Sequence, residues 1–137
     1  MPDQKRFINQ DLILQVSKNI GPKVLDMDKY EGFIDALCGE RNYQKEAINT
    51  TLRYILGGQY KNLKELAEKN FNSNEKLRDL YGSFAEMERH LQLPDKLSCS
   101  IDLATGTGKS YVIYGIARIL LAEGAVDHVL VVCPSTT

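Results

Sequence analysis

The segment from residue 97 to residue 133 constrains the fold of this chain more than any other stretch. Residues 97–103 read Leu-Ser-Cys-Ser-Ile-Asp-Leu, and this alternation of apolar and polar side chains is typical of a β-strand. A glycine-containing loop follows, and apolar residues at helical spacing then predict a helix over 109–122. The apolar run at 129–133 is typical of a buried parallel strand. The segment therefore predicts a strand–loop–helix–strand (βαβ) unit.

The loop before the predicted helix reads Ala-Thr-Gly-Thr-Gly-Lys-Ser at residues 104–110, which is the pattern of a phosphate-binding P-loop. Gly106 and Gly108 allow the backbone to curl, so that successive amide N–H groups converge on an anion. Lys109 is predicted to reach the β- and γ-phosphates of ATP and to be the catalytic residue, while the Ser110 hydroxyl binds Mg²⁺. The predicted nucleotide-binding residues of this segment are Thr105, Gly106, Thr107, Gly108, Lys109, Ser110 and Tyr111.

Helical patterns dominate the chain before residue 97. Apolar spacing predicts a short helix over 11–20, a second over about 28–38 and a third over about 42–56. Residues 59–96 predict two further helices, the longer of which carries apolar positions from 77 to 91. Acidic and basic residues balance in this predicted hairpin, which is typical of a solvated face over a packed stripe; a docking role is the alternative.

Three segments resemble motifs of superfamily 2 helicases and translocases. The P-loop has leucine at 103, where the general motif has its first glycine, and the form Ala-Thr-Gly-Thr-Gly-Lys-Ser resembles motif I of that superfamily. Residues 41–48, Arg-Asn-Tyr-Gln-Lys-Glu-Ala-Ile, resemble its Q-motif, and residues 129–135 resemble the strand and loop of motif Ia. The resemblance is nearest to the DEAD/DEAH-box group that includes the motor subunits of type I and type III restriction enzymes.

The resemblance implies roles for residues outside the P-loop. Gln44 would read the adenine of ATP, because an amide can donate and accept at the base edge, and Arg41 or Tyr43 would line the base. Motif Ia would place a nucleic-acid backbone against the residues that follow the second predicted strand. These predicted nucleic-acid contacts are Pro134, Ser135 and Thr136. The implied cofactors are ATP and Mg²⁺. The implied partners are a nucleic acid, with DNA favoured over RNA and RNA left open, and a second RecA-like domain or the remainder of a longer chain.

The fold class predicted from these observations is α/β, with a helical N-terminal half followed by a partial P-loop (RecA-like) parallel βαβ unit. The predicted domains are an N-terminal helical segment at 1–40 and an incomplete RecA-like ATP-binding domain at 41–137. Within the second domain, a Q-motif-like helix covers 41–56, an inserted helical hairpin covers 59–96, and the P-loop βαβ unit covers 97–137.

The predicted function is the ATP-binding N-terminal portion of a DNA-dependent ATPase, with a parent protein that is an ATP-dependent helicase or translocase. No acidic residue follows Val132, so the acidic motif that holds Mg²⁺ in such motors is missing here. We therefore expect little or no hydrolysis by the chain alone. Two alternatives remain open: a P-loop NTPase of another class, such as a nucleotide kinase or GTPase, and a truncated interaction module without catalysis.

Composition limits the classes of protein and the cellular compartment that fit this chain. The formal net charge is -1, which argues against a protein that coats nucleic acid through overall positive charge. The three cysteines are far apart and form no C-x-x-C pair, so they predict neither a disulfide framework nor a zinc site. The longest apolar runs are well short of the ~20 residues that a membrane span needs. We expect a cytoplasmic protein with no membrane partner.

Overall fold

The computed structural model describes residues 13–103 and 108–132, and every regular element within them is helical. They divide into two compact units. The hairpin unit consists of residues 13–20 and 53–100, and the α6 unit consists of residues 21–52, 101–103 and 108–132. A 3₁₀ turn at Met27–Tyr30 precedes the α-helices, which are α1 (Glu31–Cys38), α2 (Asn42–Leu56), α3 (Leu63–Ser73), α4 (Glu75–Tyr81), α5 (Phe84–Glu88) and α6 (Lys109–Ala122).

In the α6 unit, helix α6 packs its buried side, Val112, Gly115 and Ile119, toward helices α1 and α2. Gly115 allows a close approach, because a Cβ atom at this position would lie 2.8 Å from Cδ1 of Ile48 and 3.0 Å from Cδ2 of Leu37. The small side of α6 therefore sets how near its backbone comes to α2.

The C-terminal end of α6 is tied to the 3₁₀ turn. The Tyr30 hydroxyl donates a hydrogen bond to the Glu123 carboxylate, and Nζ of Lys29 lies 3.7 Å from the same carboxylate oxygen. Burial, reinforced by the bond to Glu123 and by its negative charge, raises the pKa of Tyr30 to about 12. The tyrosine hydroxyl thus stays protonated as a donor across the physiological range.

In the hairpin unit, polar caps divide the chain into short helices. The Asn62 and Ser83 side chains accept from the backbone N–H three residues ahead, at Glu65 and Glu86, and so begin α3 and α5. One apolar cluster contains Ala67, Phe71, Leu77 and Met87, and a second contains Tyr54, Tyr60 and Leu66. Leu14 packs against both clusters.

Residues 14–20 run as a non-helical strap whose backbone is bound by side chains of the hairpin unit. Asn70 accepts from the Gln15 N–H at 2.6 Å and donates to the Gln15 carbonyl at 3.0 Å. The Tyr60 hydroxyl accepts from the Ser17 N–H at 3.1 Å, and the Gln59 amide donates to the carbonyl of Asn19 at 2.7 Å. Because side chains satisfy these backbone groups, the strap does not need helical bonds of its own.

The predicted α/β fold class is wrong for the part of the chain that the structure describes. Residues 97–103 and 129–132 contain no β-strand, so no parallel βαβ unit is present there, and the described fold is all-α. Period-two alternation says which side chains share a face, but a strand also needs a neighbouring backbone to complete its hydrogen bonds. The apolar run at 129–133 was predicted to be a buried strand, but its described residues are exposed to solvent, Leu130 by 87% and Val132 by 84%.

Two helix predictions were also wrong in detail. The described part of the predicted helix 11–20 is the non-helical strap, because Leu14 and Val16 pack into the clusters of the hairpin unit without helical turns. The long helix predicted over 77–91 is interrupted at Gly82, whose φ of 79° ends α4, and Ser83 then begins α5. The helices predicted at 42–56 and 109–122 are confirmed.

Within these same ranges, none of the helices combines the length and the hydropathy required of a bilayer-crossing segment.

Candidate functional site

The N-terminal end of α6 has the features of an anion site. Gly108 is the N-cap, and its φ of 80° and ψ of 46° place it in the left-handed region, where a side chain is strained. Lys109 and Ser110 form the first turn and are both exposed. No side-chain cap and no acidic residue occupies this turn among the described residues. Within the described residues, no negative side chain therefore offsets the partial positive charge of the helix start.

Gln44 lies directly against this helix start. Its side chain has no exposed surface, and its Nε2 atom donates to the carbonyl oxygen of Gly108 at 3.4 Å. A Cβ atom on Gly108 would lie well under 3.0 Å from Nε2 of Gln44 and 3.0 Å from Cδ2 of Tyr111. Glycine at 108 therefore serves two purposes, because it permits the left-handed backbone and leaves room for the glutamine amide.

Arg41 and Tyr111 form a contact at the edge of the same site. The Arg41 guanidinium lies over the Tyr111 ring, 5.8 Å from its centroid, and Tyr111 is 47% exposed. Cation–π contacts at exposed positions contribute only about 0.5–1 kcal/mol, so this pair can open without large cost. Together the two groups offer a planar cation and an aromatic face, both of which can stack on a nucleobase.

Two lysines near the site differ in whether a described carboxylate pairs with them. Lys45 pairs with Asp35 at 2.9 Å, whereas no carboxylate among the described residues pairs with Lys109. Burial raises the pKa of the Cys38 thiol, and the positive charges of Lys45 and Arg41 partly oppose that effect. The described residues hold no group of three or more His, Cys, Asp or Glu side chains that could bind a metal ion.

The structure brings together the residues from two distant predicted motifs. Arg41 and Gln44 precede or begin α2, Gly108 and Tyr111 begin α6, and contacts join the first pair to the second. Tyr43 is 43% exposed on α2, and within the described residues it makes no hydrogen bond or ring contact with this group. The remaining predicted positions lie outside the described residues: Thr105, Gly106, Thr107, Pro134, Ser135 and Thr136.

Sequence reasoning did not find the support behind the site. The tie between Tyr30 and Glu123 and the approach of Gly115 to Ile48 both fix α6, yet neither pair shows a recognisable local spacing. The two residues of the Gln44–Gly108 contact are 64 positions apart, and their direct contact was likewise not predicted from the sequence. Only the identity of each partner could be noticed from the sequence, since the pairing depends on how α2 and α6 pack.

The sequence matches the family described as type III restriction enzyme, res subunit, over residues 37–137, which is most of the chain. This match defines the class: a helicase-like ATPase family related to superfamily 2. Within that class, the chain belongs to the type III restriction enzyme res-subunit family. The predicted family resemblance is thereby confirmed. Comparisons with curated proteins and with solved structures give no match.

Proposed function

We propose that this chain binds the polyphosphate of ATP, with Mg²⁺, at the N-terminal end of α6, as the nucleotide-binding portion of a DNA-dependent ATPase motor. The observation that carries the proposal is the open start of α6. Among the described residues, it combines a left-handed glycine, a lysine that pairs with no carboxylate and an exposed hydroxyl in one helical turn that holds no acidic side chain. Membership of a helicase-like ATPase family supports the same function.

The groups at this turn fit a nucleotide polyphosphate. Unpaired backbone N–H groups at a helix start favour anions, and a lysine adds a full positive charge that can follow the phosphates. The Ser110 hydroxyl is a neutral oxygen ligand, which suits Mg²⁺ because this ion binds few protein groups and takes further oxygens from phosphate and water. Bound Mg²⁺ would neutralise charge on the phosphates. In this arrangement Lys109 orients the phosphates and draws negative charge toward the helix.

The base would lie on the side of Arg41 and Tyr111. The guanidinium and the ring are already adjacent and exposed, so either can stack on adenine, and Tyr43 offers a second exposed ring on α2. For the nucleic acid, we propose contacts from residues 134–136 to the DNA backbone. Family membership is the support for that part of the proposal.

The test compares Lys109→Ala with a matched surface substitution, Lys96→Ala, which removes an exposed lysine from the hairpin unit. Titration calorimetry with MgATP should show that the Lys109 variant binds at least about tenfold more weakly, since hydrogen bonds to charged groups contribute roughly 1.5–3 kcal/mol. The Lys96 variant should bind like the wild type. Equal affinity of the Lys109 variant and the wild type would remove the basis of the proposal.

A further inference from the structure

We propose that the hairpin unit carries a binding groove for an extended peptide, and that the strap at residues 14–20 occupies it as an intramolecular ligand. This peptide groove consists of the side chains of Gln59, Tyr60 and Asn70 and the two apolar clusters of the unit. Its partner is an extended segment of another polypeptide with apolar side chains at its first, third and seventh positions. The groove belongs to the hairpin unit, whereas the candidate nucleotide site belongs to the α6 unit.

The first observation is that side chains of the peptide groove bind the backbone of the strap. The Asn70 amide contacts both backbone groups of one residue, because it accepts from the Gln15 N–H at 2.6 Å and donates to the Gln15 carbonyl at 3.0 Å. Tyr60 and Gln59 bind two further backbone groups of the strap. Backbone groups are common to all sequences, so these bonds suit a foreign extended segment as well as the strap.

The second observation is that alternate side chains of the strap enter the peptide groove. Leu14 packs against both apolar clusters and Val16 against one of them, while Gln15 between them is exposed. Ile20 lies against Gly57, where a Cβ atom would be 2.7 Å from Cδ1 of Ile20. Successive side chains of an extended chain point to opposite sides, so the groove selects apolar residues at the first and third positions, and again at the seventh.

The third observation is that contacts outside the strap hold the groove side chains in place. The buried Asn70 amide also donates to the Leu66 carbonyl at 2.9 Å. The Tyr60 ring lies 6.1 Å from the Tyr54 ring, and Nζ of Lys69 lies 4.8 Å from the Tyr60 centroid. Because none of these contacts involves the strap, the groove is already formed for a ligand that replaces it, which lowers the cost of binding.

The fourth observation is that the strap fills its groove only in part. Its three apolar side chains, Leu14, Val16 and Ile20, are half-buried. A tether of a few residues gives the strap an effective concentration on the order of millimolar, so a second copy with the same side chains has no advantage over it. A polypeptide whose larger apolar side chains bury more area does have one, which is why we assign the groove to another protein.

The first experiment releases the strap and supplies it as a separate molecule. The 137-residue chain carries both Leu14→Ser and Val16→Ser, and the probe is a labelled synthetic peptide of residues 13–21 whose binding is followed by fluorescence anisotropy. We expect this variant to bind the peptide at least about tenfold more tightly than the wild type does, because the tethered strap no longer competes. Lys18→Ser, at an exposed strap residue, is the control and should behave like the wild type. Equal binding by all three chains would overturn the proposal.

Modified peptides test how the released groove recognises its ligand. Methylation of the Gln15 backbone nitrogen removes the N–H that Asn70 accepts, and should weaken binding about threefold to tenfold. Methylation at Lys18, whose N–H makes no hydrogen bond within the described residues, should change affinity by less than about twofold. A peptide with serine in place of Leu14 and Val16 should not bind. If both methylated peptides bind like the parent peptide, the groove does not read the backbone and the proposal fails.

A measurement on the wild type covers the case in which the strap variant does not fold, which circular dichroism would reveal. Excess unlabelled peptide is added to the ¹⁵N-labelled chain. The backbone amide signals of Gln15 and Ser17 should move to the positions of an unstructured chain, whereas the side-chain NH₂ signals of Asn70 should stay near their starting positions because the peptide replaces the strap. Unmoved Gln15 and Ser17 signals, or Asn70 signals that move with them, would contradict the proposal.

Sedimentation of the wild type distinguishes another polypeptide from a second copy as the occupant. The chain should remain monomeric at the concentrations at which the peptide binds. A concentration-dependent dimer that Leu14→Ser with Val16→Ser abolishes would mean that copies exchange their straps, and would overturn the assignment of the groove to another protein.

Discussion

Replacing Gly108 with alanine should destabilise the α6 unit through two separable effects. Alanine in the left-handed region costs about 1–2 kcal/mol. The new Cβ atom would also lie well under 3.0 Å from Nε2 of Gln44 and at 3.0 Å from the Tyr111 ring, and forcing a methyl group into a filled space costs roughly 1–3 kcal/mol. We therefore expect the free energy of unfolding to fall by about 2–5 kcal/mol, with weaker binding of MgATP.

Gly124 provides the matched control for the backbone effect. Its φ is 71°, and a Cβ atom there would have no neighbour within 4 Å, so Gly124→Ala should lose only about 1–2 kcal/mol. Urea unfolding followed by circular dichroism at 222 nm gives both values, since the chain has no tryptophan to report by fluorescence. The difference between the two variants measures the contact around Gly108.

A double variant tests whether Gln44 is the neighbour that makes a methyl group at position 108 unfavourable. Adding Gln44→Ala to Gly108→Ala removes the amide that the new methyl group would meet, so the combined loss should be smaller than the sum of the two single losses. The expected coupling is about 1–3 kcal/mol. Additive losses, or a Gly108 variant no less stable than the Gly124 variant, would refute the packing of Gln44 on Gly108.

Two further predictions concern the support of each unit. Asn70→Ala should lower the free energy of unfolding by about 2–4 kcal/mol, because it leaves the N–H and carbonyl of Gln15 without their partners; urea unfolding measures the loss. Tyr30→Phe should reduce the alkaline loss of stability. The pKa of Tyr30 in the folded state is raised from 10.0 to about 12, so the stability that its protonated hydroxyl contributes is fully present below pH 10 and is lost between about pH 10 and pH 12. The free energy of unfolding, measured across that interval, should therefore fall less steeply in the variant.

Each of these predictions has a control in the same unit. Asn72→Ala, at an exposed position of α3, should change stability little, and a loss equal to that of Asn70→Ala would mean that the strap does not depend on Asn70. Tyr43→Phe, at an exposed tyrosine, should keep the wild-type alkaline slope. If Tyr30→Phe keeps that slope as well, the bond between Tyr30 and Glu123 does not hold the 3₁₀ turn to α6.

Local signals were enough to find most of the helices and the likeness to helicases. The helix over 42–56 follows from apolar residues at helical spacing, and the helix over 109–122 follows from the same spacing after a glycine. The break at Gly82 was missed although Ser83 and Glu86 form a recognisable capping pair. Motif order along the chain was sufficient to indicate the family to which it belongs.

Strand formation could not be read from residues 97–103 and 129–132 alone. Alternation and β-branching describe how side chains would be arranged once a backbone partner exists, and in the described part of the chain neither segment has one. The strap at 14–20 was predicted to be helical but is not, for the opposite reason. Side chains that lie far away in the sequence, those of Asn70, Tyr60 and Gln59, make hydrogen bonds to its backbone.

The amino-acid sequence by itself determined the family, the main helices and the residue types at the candidate site, because each depends on spacing along one stretch of chain. Tertiary structure alone decided that Gln44 is buried against Gly108, that Arg41 covers Tyr111, and that Tyr30 holds the far end of α6. Those contacts join residues 64, 70 and 93 positions apart, and only the packing of the helices brings them within reach.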